Sequence, residues 1–229
     1  MKIALIQMAV ETKKEQNIKK AINFLKQAKK QEADMAVLPE MFCCPYATEN
    51  FPIYAEQEGG VTWQALSDTA KECNLYIIGG SMAEKAADGA VYNTSYVFDR
   101  KGNQIAKHRK MHLFDIAVTG GQCFKESDTL TAGNEITVFD TEFCKIGLCI
   151  CYDIRFPELS RCMALEGADM IIVPGAFNMT TGPAHWEILF RTRALDNQVF
   201  TVGVAPASQE KGYISYANCG LPYYIGGEI

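Results

Sequence analysis

The chain has 229 residues and a formal net charge of −5, from 22 Lys and Arg against 27 Asp and Glu. Its 48% hydrophobic and 10% aromatic content excludes a disordered protein, and the acidic balance disfavours a dedicated nucleic-acid-binding protein. The longest stretch without a polar side chain, Met170 to Phe177, is far shorter than the roughly 20 residues of a membrane-spanning helix. The length fits a single domain over residues 1–229. Because the N-terminus begins on a strand-like run and shows no export signal, the sequence predicts a cytoplasmic protein without a membrane partner.

The first third of the chain alternates strand and helix patterns. Thr12 and Glu15 match a T-x-x-E capping box, and the apolar residues behind them recur at helical spacing. The predicted order is a strand at 2–9, a helix to about residue 28, a strand at 33–38, a helix at 61–73 and a strand at 75–80. This order is typical of a sheet covered by helices.

The middle of the chain changes to a hairpin pattern before the alternation resumes. One hairpin is predicted from 91–98 and 104–108, and a second from 136–139 and 143–150. After these, the predicted order is a helix at 157–166, a strand at 170–173, a helix at 183–196 and a strand at 198–205.

A faint internal repeat relates the two ends of the sequence. Residues 2–6 resemble residues 145–149, and residues 33–39 resemble residues 168–174, each pair bracketing one predicted helix. The repeat predicts two strand-helix-strand-helix-strand halves that form two sheets face to face, an α-β-β-α sandwich. Functional sites gather at the carboxyl ends of parallel strands, so the segments after residues 38, 150 and 173 are the places to search.

Three residues in or near these segments could carry nucleophilic catalysis. Cys151 ends an apolar strand, Glu40 follows the corresponding strand of the other half, and Lys110 lies in a basic cluster. A cysteine thiol has a pKa of about 8.5 and needs a base or a cation for activation. Glu40 could be that base, and Lys110 could favour the thiolate and then stabilise an oxyanion. Spacing alone leaves ordinary roles open for all three: a loop carboxylate, a solvated lysine and a core cysteine.

The sequence disfavours a metal site because it offers too few candidate ligands. His108 and His112 are four residues apart, but the run before them reads as a strand and no third ligand is evident. The nine cysteines contain no C-x-x-C pair and are predicted to be mostly buried, reduced thiols.

Three blocks in order along the chain resemble the signature blocks of the nitrilase, or carbon–nitrogen hydrolase, superfamily. They are 38–42 (LPEMF), 108–115 (HRKMHLFD) and 147–158 (GLCICYDIRFPE). The resemblance implies an α-β-β-α sandwich of the nitrilase type, no cofactor and a homodimer or higher homo-oligomer. It also implies a catalytic triad of Glu40, Lys110 and Cys151, with Glu126 as a second, assisting glutamate. Lys110 and the Tyr152 backbone N–H would hold the oxyanion.

Within this superfamily the sequence most resembles the ω-amidase branch, through residues 174–187 (PGAFNMTTGPAHWE). The resemblance implies hydrolysis of the terminal amide of 2-oxoglutaramate and related small-molecule ω-amido dicarboxylates. Such substrates carry a free carboxylate, which the fork of Arg155 could bind together with Thr181 and the free N–H groups of the helix N-terminus. Tyr46, Phe177 and His112 would line the pocket.

Several alternatives stay open at this point. Arg155 could instead form an ion pair with Glu158 or Asp153. The activity could be that of a deaminated-glutathione amidase or a carbamoyl-amide hydrolase, or the chain could be a non-catalytic, partner-binding member. After about residue 207 the sequence only loosely resembles the family pattern and lacks its tryptophan, which predicts a truncated or atypical end.

Overall fold

A computed structural model describes residues 1–117, 123–178 and 181–207. Its first half contains six strands and three helices. In chain order these are β1 (Ile3–Leu5), α1 (Lys14–Lys30), β2 (Met35–Val37), α2 (Asn50–Tyr54), α3 (Val61–Cys73), β3 (Tyr76–Ile78), β4 (Met82–Lys85), β5 (Val91–Phe98) and β6 (Gln104–Arg109). They form one sheet of order β1-β2-β3-β5-β4, with β6 also paired to β5. The first three strands are parallel, as the strand-helix alternation predicts.

The second half builds another sheet. Its elements are β7 (Asp115–Ala117), β8 (Cys123–Lys125), β9 (Thr137–Asp140), β10 (Lys145–Leu148), α4 (Pro157–Leu165), β11 (Met170–Pro174), α5 (Gly182–Asn197) and β12 (Phe200–Val204). The sheet order is β12-β11-β10-β9, with β10, β11 and β12 parallel and β9 antiparallel to β10. Strands β7 and β8 form a separate small hairpin.

The hydrophobic core lies in three layers. The middle layer joins the two sheets, with Val37 and Ile78 from the first and Leu148 and Ile172 from the second, all fully buried. One outer layer packs α1 and α3 on the first sheet, and the other packs α4 and α5 on the second. The predicted α-β-β-α sandwich is therefore confirmed. The two β-α-β-α-β halves also match the connectivity that the internal repeat predicts.

The capping box predicted for α1 is wrong. The helix begins after Lys13, whose side chain makes no capping hydrogen bond. The buried side chain of Asn17 instead closes the preceding segment: its amide donates to the Glu11 carbonyl at 2.8 Å, and its oxygen accepts the Glu11 N–H at 2.7 Å.

Other elements also differ from the prediction. The first strand, β1, is shorter than predicted, and the sequence shows no clear pattern that predicts α2, β4, β7 or β8. Across the described ranges, no helix is long and apolar enough to cross a bilayer.

A tight turn after β2 places Glu40. Met41 adopts a left-handed φ of 48°, and its N–H donates to the Ser81 hydroxyl at 3.0 Å. Gly80, at φ 59°, lies against this turn, where a Cβ atom would meet the Pro39 carbonyl at 2.1 Å. Only glycine fits both this backbone conformation and this close approach. The turn thereby fixes the position of the carboxylate that follows Pro39.

Candidate active site

The four predicted catalytic side chains converge on one buried point from both sheets. Glu40 follows β2, Lys110 follows β6, and Cys151 opens a 3₁₀ helix (Cys151–Arg155) after β10. Glu126 begins a second 3₁₀ helix (Glu126–Asp128) after β8. Glu40, Lys110 and Glu126 are at most 1% exposed and Cys151 is 6% exposed. Buried charges at this depth need paired partners, and the contacts below supply them.

Lys110 is the centre of the cluster. Its Nζ lies 2.9 Å from Glu40 Oε1 and 2.9 Å from Glu126 Oε1. Burial alone lowers the pKa of this ammonium, but the carboxylates of Glu126 and Glu40 outweigh it and raise the Lys110 pKa well above its usual value. Lys110 is therefore a permanent cation at the centre of the cluster.

The two oxygens of Glu40 have different environments. Oε1 accepts hydrogen bonds from Lys110 Nζ at 2.9 Å, from Asn93 Nδ2 at 2.8 Å and from the Tyr46 hydroxyl at 3.1 Å. Oε2 is buried and has no hydrogen-bond partner among the described residues. A buried carboxylate oxygen without a donor is a strong acceptor. Oε2 is thus the oxygen of Glu40 that is free to take a proton.

Glu126 is the second carboxylate partner of Lys110. Its Oε2 accepts the Phe114 N–H at 2.7 Å, and its Oε1 accepts from Lys110 and from the Tyr46 hydroxyl. Burial and the neighbouring charge of Glu40 raise the pKa of Glu126, against the opposing effect of Lys110. Burial and both carboxylates likewise raise the pKa of Tyr46 well above its usual value, so Tyr46 stays a neutral phenol.

Cys151 is a strained and protonated residue at rest. Its backbone has a left-handed φ of 48°, a conformation that costs a non-glycine residue on the order of 1 kcal/mol. Burial and the charge of Glu40 raise the pKa of its thiol well above the usual value, although Lys110 and the Ala176 N–H, 3.5 Å from Sγ, oppose this. The sulfur therefore needs a base within reach before it can attack.

Asp153 ties the Cys151 turn to the segment around Lys110. This fully buried carboxylate accepts the Ile150 N–H at 3.0 Å and the His112 N–H at 2.8 Å. The rings of His108 and His112 lie 3.2 Å and 2.8 Å from its oxygens. Burial raises its pKa, but the two histidine hydrogen bonds and the Ile150 N–H outweigh burial and hold the Asp153 pKa well below its usual range. The two histidines considered for a metal thus bind a carboxylate.

A small cavity opens beside Cys151. Its lining combines aromatic side chains with a few polar groups: Tyr46, Phe114, Cys151, Tyr152, Arg155, Ala176, Phe177, Asn178 and Thr181. Of the predicted substrate contacts, Arg155, Thr181, Tyr46 and Phe177 are in this lining.

His112 lies outside the lining. Its ring stacks on Phe156 with 3.6 Å between the centroids and bonds to Asp153. Tyr152 lines the cavity, and its ring packs edge-on against Phe114 with 5.1 Å between the centroids. The substrate contact of His112 and the oxyanion role of the Tyr152 N–H stay predictions.

Arg155 lies at the wall of the cavity, and neither ion pair considered for it, with Glu158 or with Asp153, occurs in the described part of the chain. Its Nη2 donates to Thr181 Oγ1 at 3.3 Å, and its Nη1 lies 3.0 Å from His185 Nδ1.

The start of α5 differs from the prediction that its backbone N–H groups are free to bind the substrate carboxylate. The Thr181 and Gly182 N–H groups donate to Asn178 at 3.0 Å and 2.8 Å, so they are not free for an anion.

Sequence reasoning missed three residues of the site: Asn93, Asp153 as an organiser of the turn, and His185. One signal could have revealed Asn93. It is the first of three consecutive polar residues in β5 that are completely buried. Buried polar groups need partners, so a polar run inside a predicted interior strand points to a site. His185 carried no comparable signal, because its partner is thirty residues away.

Comparisons with known proteins agree with this geometry. Residues 2–220 match the family model described as carbon–nitrogen hydrolase. The chain is 49% identical to "Omega-amidase NIT2" of Bos taurus and 47% identical to that of Homo sapiens, each over 218 residues, covering 95% of this chain and 79% of the relative. Among solved structures, Saccharomyces cerevisiae Nit3, described as a member of branch 10 of the nitrilase superfamily, superposes with a TM-score of 0.85 at 38% identity, covering 94% of this chain and 79% of that chain. The chain belongs to the carbon–nitrogen hydrolase family.

Proposed function

We propose that this protein is an ω-amidase, an amidohydrolase that releases ammonia from the terminal amide of 2-oxoglutaramate and related ω-amido dicarboxylates such as succinamate. The observation that carries the proposal is that Cys151 and Arg155 line the same small cavity. A substrate with an amide at one end and a carboxylate at the other matches these two groups. The ω-amidase relatives at 47–49% identity support the same substrate class.

The first half of the reaction forms a thioester. Glu40 Oε2 takes the proton of the Cys151 thiol, and Sγ attacks the amide carbon. Lys110 and the Tyr152 N–H stabilise the tetrahedral oxyanion, and one such donor is worth about 3 kcal/mol of the barrier. As the C–N bond breaks, Glu40 returns the proton to the departing ammonia.

The second half hydrolyses the thioester. Glu40 takes a proton from a water molecule, which attacks the thioester carbonyl, and the same two donors hold the second oxyanion. Cleavage of the C–S bond releases the dicarboxylate and returns the proton to the thiol. Glu126 takes part by holding Lys110 and Tyr46 in place through its Oε1.

Replacing Arg155 with lysine is expected to raise KM for 2-oxoglutaramate and succinamate by about 10- to 100-fold. Lysine keeps the positive charge but loses the fork that binds a carboxylate through two hydrogen bonds, and charge-assisted bonds are worth about 1.5–3 kcal/mol. Steady-state kinetics on these acids and on butyramide, a neutral amide, measure the effect. Equal losses on the acids and on butyramide would refute the carboxylate-binding role.

A substrate panel tests the function itself. Ammonia release is measured with 2-oxoglutaramate, succinamate, butyramide, deaminated glutathione and an N-carbamoyl amino acid. The proposal predicts that the first two are the best substrates. Preference for deaminated glutathione would favour that amidase instead, and release of CO2 with ammonia from the carbamoyl compound would favour a carbamoyl-amide hydrolase. No turnover of any amide would favour a non-catalytic member.

We also propose a cytoplasmic homodimer. All eight described cysteines are free thiols, as expected in a reducing compartment. Leu165 on α4 and Ile188 and Leu195 on α5 are more than half exposed, which suits a helix surface that packs against a second copy. Sedimentation at several concentrations tests the dimer.

A further inference from the structure

His185, in the first turn of α5, contacts the arginine to which the substrate carboxylate is assigned. Its Nδ1 lies 3.0 Å from Arg155 Nη1. A guanidinium has only N–H donors, so Nδ1 must be the acceptor in this bond. A ring nitrogen that accepts a hydrogen bond carries no proton. His185 is therefore neutral in this arrangement, with its proton on Nε2.

Three further contacts fix the plane of the Arg155 guanidinium. Thr181 Oγ1 accepts from Nη2 at 3.3 Å. The central carbon lies 5.6 Å from the Tyr152 ring centroid and 5.1 Å from that of Phe177, within the range of a cation–π contact. With His185, these contacts hold both terminal nitrogens and place two aromatic rings against the guanidinium.

Within the part of the chain that the structure describes, the remaining donors of Arg155 have no hydrogen-bond partner. Nε is completely buried and has no hydrogen-bond partner within the described ranges. A guanidinium has five N–H donors, and the described contacts use one on each terminal nitrogen. A buried unpaired donor is costly unless a ligand satisfies it. The free donors belong to a group that lines the cavity beside Cys151, so a carboxylate in that cavity is a suitable ligand.

We propose that His185 is a positioning residue that sets the specificity for amides with a free carboxylate, by accepting Nη1 and so directing the unused N–H donors of Arg155 to that carboxylate. The inference rests on the proposed function, because it takes the substrate's acid group as the partner of Arg155. A long arginine side chain loses much conformational freedom on binding. A guanidinium already fixed by His185 loses less, and the substrate binds more tightly.

The test separates the hydrogen-bond acceptor from the bulk of the ring. His185→Phe keeps a ring and removes the acceptor. His185→Asn keeps an acceptor close to the position of Nδ1, and His185→Gln carries its acceptor one bond further, nearer the position of Nε2. Kinetics are measured on 2-oxoglutaramate and butyramide, and thermal unfolding is followed for each variant.

The expected result depends on the substrate. His185→Phe should raise KM for 2-oxoglutaramate by about 10-fold or more, since a hydrogen bond of a charged group is lost. Its kcat on this substrate, and its kcat/KM on butyramide, should stay within about twofold, because the interaction acts on binding of the acid group alone. His185→Asn should bring KM back to within about threefold of the unmodified enzyme.

Two results would overturn the inference. One is an equal loss on 2-oxoglutaramate and butyramide in a folded His185→Phe variant, and the other is the same KM in the Phe and Asn variants. If the Phe variant does not fold, the pair of Asn and Gln carries the test: a lower KM for Asn supports the inference, and equal values refute it. An unmodified enzyme that does not prefer acids over butyramide contradicts the proposed function. A preference that the His185 variants leave unchanged contradicts only the role of His185.

Discussion

Cys151→Ala is expected to abolish ammonia release while the protein stays folded. The substitution removes the sulfur that forms the thioester, and no other described cysteine lines the cavity. In a serine protease triad, loss of the nucleophile costs on the order of 10⁶ in kcat, so activity should fall to background. The alanine methyl fits where the thiol was, and the Asp153 contacts to the turn do not involve the sulfur.

The matched control is Cys149→Ala. Cys149 is two residues earlier and fully buried, but it packs in the core under α4 and α5. The Cys149→Ala variant should keep near-normal kcat and lose about 0.5–3 kcal/mol of unfolding free energy, as is usual for a core truncation. Ammonia release and thermal unfolding are compared for both variants. Turnover by folded Cys151→Ala near that of the unmodified protein would rule out Cys151 as the nucleophile.

Glu40→Gln is expected to lower kcat by about 10²–10⁴-fold, the usual contribution of a general base. The glutamine carbonyl can accept the same hydrogen bonds from Lys110, Asn93 and Tyr46 that Oε1 accepts now. Its NH₂ group replaces Oε2, and an amide cannot take the thiol proton. Lys110 keeps Glu126 as a partner, so the buried cluster is left without an unpaired cation and the fold should persist.

Two measurements separate loss of the base from loss of the fold. Ammonia release gives kcat, and the alkylation rate of Cys151 by iodoacetamide reports activation of the thiol without any substrate. Alkylation must be followed on the Cys151 peptide by mass spectrometry, because Cys123 is exposed. Glu58→Gln, a change in a surface carboxylate that pairs with Lys107, should alter neither rate. Normal alkylation and kcat in Glu40→Gln would show that another group is the base.

The fold could be predicted from sequence where local patterns and chain order agree. The parallel strands β1–β3 and β10–β12 follow from apolar runs that alternate with amphipathic helices. Strands of this kind are apolar throughout because they are buried on both faces of the sheet. The short elements α2, β4, β7 and β8 could not be predicted, because three to five residues carry too little periodicity. The failed capping box has a different origin: whether Thr12 or Asn17 organises the start of α1 depends on burial that the local pattern does not encode.

The site was predictable to the extent that motifs mark it. Glu40, Lys110 and Cys151 lie in the family blocks, while Glu126 lies between the second and third blocks. The structure brings both glutamates to Lys110, and Cys151 to Glu40 and Lys110, as that resemblance implies. Sequence could not assign different environments to the two oxygens of Glu40, since three separate segments supply the donors to Oε1. Nor could it show that Arg155 bonds to His185 and makes no ion pair with Glu158, because that choice is made by the packing of α5.

Detection of an acyl-enzyme is the decisive test of Cys151 as the nucleophile. The protein is mixed with 2-oxoglutaramate, quenched in acid within the first turnovers and digested. The mass of the peptide containing Cys151 is then measured by mass spectrometry. If Cys151 forms the thioester, this peptide gains the mass of the substrate minus ammonia, and the adduct is absent in Cys151→Ala. Steady ammonia release with the Cys151 peptide unmodified at every quench time, or with the adduct on another residue, would contradict it.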